Sequence, residues 1–168
     1  LVSEGCKKIA LLCGPENVAI GGNRMEGYEK AMEANHLPAK TELIWHCSDF
    51  TVEAGKEATR QLLSRQERPD AIFGITDDLA IGAIEAIKEK GLNIPEDIAV
   101  VGFSNTKRSR YMNPTVSSIN QFPEKIGRAA AELLFDQILN SKHAQIKKEI
   151  INCELIVRES SDRLCKTR

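Results

Sequence analysis

Charge of one sign is the first thing this 168-residue chain lacks: 23 lysines and arginines stand against 24 aspartates and glutamates, a net charge of −1. That balance leaves no electrostatic footprint for a nucleic-acid backbone or an anionic membrane. There is no apolar run of membrane-spanning length and no secretory signal. The five cysteines (Cys6, Cys13, Cys47, Cys153, Cys165) are odd in number, include no C-x-x-C pair and hold no ligand spacing with His36, His46 or His143. Zinc and a disulfide framework are therefore not expected, and the thiols read as buried or incidental ones in a reducing, cytoplasmic compartment. The chemistry-bearing motifs of enzymes are missing too. No G-x-G-x-x-G follows the first strand, there is no nucleophile elbow, and Asp49 with Asp77 makes only a weak acid/base pair. The chain is read as no enzyme, with no cofactor and no metal. An initiator Met is also absent, and the opening LVSEG reads as the tail of a helix closed by Gly5, so the chain is expected to be an excised piece.

What is present is a repeating order of apolar runs and helical periodicities. KKIALLC (7–13) is a short apolar run suited to a covered strand, ending at the turn pair Gly14-Pro15. Met25, Tyr28, Ala31 and Met32 recur at helical spacing over 23–35, and TELIWHC (41–47) reads as a second strand, ending at Ser48-Asp49-Phe50. A helix over 51–66 leads through Pro69-Asp70 to the strand AIFGI, which ends at Thr76-Asp77-Asp78. The next helix, 79–90, stops at Gly91, and Pro95 precedes the strand Ile98 to Phe103. Alternation of this kind implies an α/β fold with an open, mainly parallel sheet and helices on both faces.

Ligands of such sheets bind beyond the carboxyl ends of the strands. In this chain those ends carry Gly14-Pro15, Ser48-Asp49-Phe50, Thr76-Asp77 and Ser104-Asn105-Thr106. Each alone is explained as a turn or a helix cap; four together converge polar groups on one edge. Arg24, expected in the first turn of its helix, is opposed by the macrodipole there, and its planar fork of donors suits a diol or a carboxylate. Phe50 is either a hydrophobic staple or a platform for an apolar ligand face.

The runs NRMEGYEKAM, PDAIFGITDDLAIGAIEAIKEKGLNIPEDIAVVGFSN and CELIVRESS, in that order and spacing, resemble the effector-binding part of the lactose-repressor (LacI) family of bacterial transcription regulators. The resemblance covers nearly the whole chain. It implies a two-lobed core like that of periplasmic sugar-binding proteins, preceded in the family by a helix-turn-helix headpiece and a hinge. This chain resembles the second lobe. Residues 1–119 are assigned to that lobe, 120–147 to a crossover helix that would pack on a first lobe, and 148–168 to a returning strand and tail.

The resemblance also implies roles. Arg24 matches the arginine of R-x-x-G-[FY], Phe50 the stacking aromatic, and Thr76-Asp77 the polar pair before the A-x-G-A helix, with Asp77 the expected acceptor for sugar hydroxyls. Ser104 and Asn105 stand where many relatives carry an acidic pair, leaving neutral donors and acceptors. The implied function is effector sensing for a cytoplasmic, homodimeric regulator that reaches operator DNA only through a headpiece. The alternative is a periplasmic or extracellular sugar-binding protein of similar fold.

Two further expectations concern packing. On a wheel of 79–88 Ile81 lies outside the main apolar arc, between Lys88 and Glu85, and is placed in a subunit interface with Tyr111. From Pro123 to Asn140, Ile126, Ala129, Ala130, Leu133, Leu134 and Ile138 form an apolar stripe. That stripe is expected to be covered by another copy of the chain, or by folding back on its own sheet.

Overall fold

The apolar runs become strands where both of their faces are covered. The structure, a computed structural model, describes residues 1–15, 18–139 and 147–163. Asn140, His143 and Cys165 lie outside the described residues. The elements are β1 (Ile9–Cys13), α1 (Ala19–Ala34), β2 (Ile44–His46), α2 (Val52–Leu63), β3 (Ala71–Gly74), α3 (Asp77–Glu89), β4 (Ala99–Phe103), α4 (Lys107–Tyr111), β5 (Ser117–Asn120), α5 (Pro123–Leu139) and β6 (Glu154–Ile156). Short 3₁₀ turns occupy Val2–Glu4, closed by a left-handed Gly5, and Thr41–Leu43. The six strands form one sheet in the order β2-β1-β3-β4-β5-β6. β1 to β5 are parallel, and β6 returns antiparallel to β5.

Strand register separates the two faces. Gly74 and Gly102 lie on the face that α3 covers, and each leaves room for close approach: a Cβ on Gly74 would lie 2.7 Å from the Ala80 nitrogen, and one on Gly102 would lie 2.5 Å from Asp77 Oδ1. α2 lies over α3 just as closely, with Gly55 against Leu79 and Gly82 against Val52. Leu11, Leu12, Ile72, Ile84 and Ile87 are fully buried, each contributing about 1.5–3 kcal/mol. α3 ends as its sequence demands, with Gly91 at φ +69° and the Leu92 N–H closing onto the Ile87 carbonyl at 3.2 Å.

The second face is covered in part. α1 sits over β1, and the Tyr28 hydroxyl donates to the Ile9 carbonyl at 2.8 Å. Beyond it, Phe73, Val101, Phe103, Ile119 and Leu155 line an open groove of about 690 Å³.

β5 and α4 were not legible as elements. β5 is built from Ser117-Ser118-Ile119-Asn120, and its serines are buried, Ser117 against the closing ESS triplet and Ser118 against Asp77. Ser160 Oγ donates to the Val100 carbonyl at 2.6 Å and accepts from Ser117 N at 2.8 Å. Ser161 Oγ is 2.7 Å from Ser117 Oγ. The tail is thus stitched into the sheet by hydroxyls where an apolar pattern would have marked a strand.

One expectation is corrected and another loses one of its two arms. Ile81 has no exposed surface within the single chain, so it is not an interface residue. The second apolar face inferred for its helix exists, but the chain itself covers it. α5 does not fold back on the sheet: Ala129 is its buried residue, while Leu134, Phe135 and Ile138 are 56–62% exposed.

Candidate functional site

Strand order reverses between β1 and β3, with β2 lying to one side and β4 and β5 to the other. A crevice therefore opens at the carboxyl edge of the sheet, where consecutive connections diverge to opposite faces. Arg24 reaches that edge from α1. The helix begins at Ala19, earlier than its apolar periodicity indicates, so Arg24 occupies the second turn rather than the first. The macrodipole penalty assigned to it is correspondingly weaker. One Nη donates to the carbonyl of Ile75, just past the end of β3. The guanidinium carbon lies 3.8 Å from the centre of the Phe103 ring, and the other Nη is 3.5 Å from Gln121 Oε1. Burial lowers the Arg24 pKa from its usual value, yet the group stays a cation at any physiological pH.

Gln121 extends the arrangement. Its Nε2 donates to Ser104 Oγ at 3.1 Å, so one polar ladder runs from the end of β3 through Arg24 and Gln121 to the turn after β4, with Phe103 beneath it. Thr76 stands next to the Ile75 carbonyl and caps α3, its hydroxyl oxygen accepting from Leu79 N at 3.3 Å. Its hydroxyl proton stays available to another acceptor. Arg24, Thr76 and Ser104 are thus brought to one end of the crevice.

Phe50 stands elsewhere on the same edge. Its ring lies on Gly14 after β1, so close that a Cβ there would come within 2.0 Å of it. Gly14 therefore makes room for an aromatic as well as shaping a turn. Asp49 beside it serves the start of α2, accepting from Thr51 N at 2.8 Å, and the Thr51 hydroxyl holds its carboxyl below the usual range.

Two assigned residues are engaged within the chain. Asp77 is 1% exposed, and both of its carboxylate oxygens are engaged: Oδ1 accepts from Ser118 Oγ at 2.5 Å and Oδ2 from Thr106 N at 2.6 Å. The role of sugar-hydroxyl acceptor does not fit that placement, because a carboxylate sealed behind the turn presents nothing to the crevice. Asn105 Oδ1 accepts from Arg158 Nη2 at 2.6 Å, which ties it to the returning strand. Gln121 and Phe103 are the site residues that the sequence reading missed. Phe103 was counted as strand and Gln121 as the start of the crossover. The signal for Gln121 was its place just past Ile119, which becomes legible only once SSIN is recognised as a strand. Among the described residues no group of three or more His, Cys, Asp or Glu is placed to hold a metal ion.

A family described as a periplasmic binding protein-like domain matches residues 1–161. Among curated relatives, the HTH-type transcriptional repressor CytR of Escherichia coli strain K12 is 35% identical over 161 residues, covering 96% of this chain and 47% of CytR. A regulatory protein of the LacI family from Chloroflexus aggregans superposes with a TM-score of 0.88 at 34% identity, over 95% of this chain and 57% of that one. The chain belongs to the LacI family. A second solved structure, the transcriptional regulator CelR in complex with cellobiose, gives a TM-score of 0.88 at 32% identity, over 96% of this chain and 49% of that one. This LacI-family chain spans less than half the length of the curated relatives it matches. Its fold is the family's periplasmic-binding-protein-like unit, and the edge that carries Arg24, Gln121, Ser104 and Phe103 is its candidate site.

Proposed function

We propose that the chain is the effector-sensing lobe of a DNA-binding transcriptional regulator, taking a sugar or related metabolite between itself and a second lobe. The observation that carries this reading is the Arg24–Gln121–Ser104 ladder on the Phe103 ring, at the edge of the sheet where open α/β folds bind ligands. Arg24, Phe50, Thr76 and Ser104 are assigned to the ligand. Residues 1–119 form the sensing lobe, and α5 within 120–147 packs on the other lobe. A relative of the same fold is a complex with cellobiose, which supports a polyhydroxylated ligand of that size. An effector that binds one lobe arrangement better than the other shifts the population toward it, and through a headpiece alters affinity for operator DNA. The regulator acts as a cytoplasmic homodimer, and Tyr111, 86% exposed on α4, belongs to the subunit contact.

The test is a thermal-shift screen of the full-length protein against sugars, sugar phosphates and nucleobases, followed by operator-binding titrations with any compound that raises Tm. A compound that stabilises the protein and changes operator affinity is the expected result. Stabilisation with no effect on operator binding would point to plain solute binding instead.

A further inference from the structure

The turn after β4 holds two consecutive non-glycine residues at positive φ, Ser104 at +112° and Asn105 at +49°. Side chains disfavour that region, so the surroundings must hold the turn in place. Three successive backbone N–H groups show how. Ser104 N donates to the Ile119 carbonyl at 2.9 Å, Asn105 N to Ser118 Oγ at 2.9 Å, and Thr106 N to Asp77 Oδ2 at 2.6 Å. Ser118 Oγ in turn donates to Asp77 Oδ1 at 2.5 Å, which leaves its lone pairs aimed at Asn105 N. One buried carboxylate thus fixes two of the three groups, one directly and one through a hydroxyl.

The geometry points to Asp77 as a positioning residue: by clamping the Asn105 and Thr106 amides it sets the left-handed turn that presents the Ser104 hydroxyl to Gln121, which in turn meets Arg24. The inference rests on the effector-binding reading for its consequence and on the hydrogen bonds alone for the clamp. Both carboxylate oxygens face donors. An asparagine in its place keeps the volume but turns an amide N–H₂ toward one of them, so one end of the clamp is lost. Gly102 is part of the same device, since any Cβ there would strike Asp77 Oδ1.

The experiment uses the full-length regulator with Asp77→Asn, Ser118→Ala and Ser104→Ala, singly and combined. In ligand-free protein, Asp77→Asn should speed amide hydrogen exchange selectively at 104–106, and Ser118→Ala should do so at Asn105. Unchanged exchange there, or faster exchange spread evenly through α3 and β4, would overturn the clamp. With a sugar, sugar phosphate or nucleobase that stabilises the wild type, Asp77→Asn should weaken binding about tenfold. In the Ser104→Ala background the same change should cost less than about twofold, because the residue it positions is gone. Equal losses in both backgrounds would overturn the positioning role. If no compound of that panel stabilises the wild type, the effector-binding reading fails by itself, and the exchange measurement still decides the clamp. Should Asp77→Asn fail to fold, Ser118→Ala carries the exchange arm and the coupling to Ser104→Ala.

Discussion

Arg24 carries five N–H donors, of which one goes to the Ile75 carbonyl and another leans on Gln121, so the fork is held in place with donors to spare. Stacking on Phe103 fixes its plane. In the full-length protein Arg24→Ala should lower effector affinity about 10- to 100-fold, the equivalent of about 1.5–3 kcal/mol for a hydrogen bond to a charged group. Arg24→Lys should not restore it, because a point charge cannot reproduce the planar fork. Isothermal titration with a compound found in the thermal-shift screen checks both. The cysteines divide equally clearly. Burial pushes the Cys13 thiol up to about 11 and the Cys47 thiol up to about 12, whereas Cys153 is exposed. At pH 8 the two buried groups are thiolate to roughly one part in a thousand or less. Iodoacetamide should therefore label Cys153 rapidly and leave Cys13 and Cys47 unmodified until the protein is denatured, as read by peptide mass. Arg24 was singled out for its donor geometry, although the helix start invoked with it lies a turn earlier. Asp77 was not, because the residue types at a strand end reveal a carboxylate but not the side of the turn on which it lies.

Among the elements, α3 shows what a wheel can and cannot tell. Its sheet-facing arc of Leu79, Ala80, Ala83, Ile84 and Ile87 was legible, and so was the presence of a second apolar position at Ile81. Its cover was not, since a residue buried within its own chain has the same sequence signature as one that touches another subunit. Ile81→Glu should therefore unfold the protein rather than dissociate it, and Ile81→Ala should cost about 2–5 kcal/mol. Denaturant melts read against sedimentation distinguish these outcomes: a large loss of stability with an unchanged dimer is expected of Ile81→Ala. β5 gives the opposite lesson. Its polar strand is held by the tail through Ser160, so Ser160→Ala leaves Ser117 N and the Val100 carbonyl short of a partner. A loss of about 1–3 kcal/mol is expected, visible as a fall in Tm.

At the scale of the whole molecule, two apolar surfaces lack cover among the described residues: the groove beside α1 and the outer stripe of α5. On the proposed reading α5 packs against another lobe. Expressed by itself, the 168-residue chain should therefore self-associate through that stripe, and light scattering should show a mass above the monomer at high concentration. Leu134→Asp with Phe135→Asp should return it to a monomer, and a wild-type chain that is strictly monomeric would contradict the expectation.

By itself the sequence determined the parallel α/β order, the edge at which polar groups gather, and the family. Those depend on the alternation of apolar runs with helical periods and on local chain chemistry, which neighbours along the chain already specify. Tertiary structure alone decided that Asp77 faces inward, that Ile81 is buried within its own chain, that serines make a strand, and that Gln121 joins Arg24 to Ser104. Each is a contact between residues far apart in sequence. Which face a side chain takes there is set by the packing of whole elements, and a single residue's chemistry is compatible with either outcome.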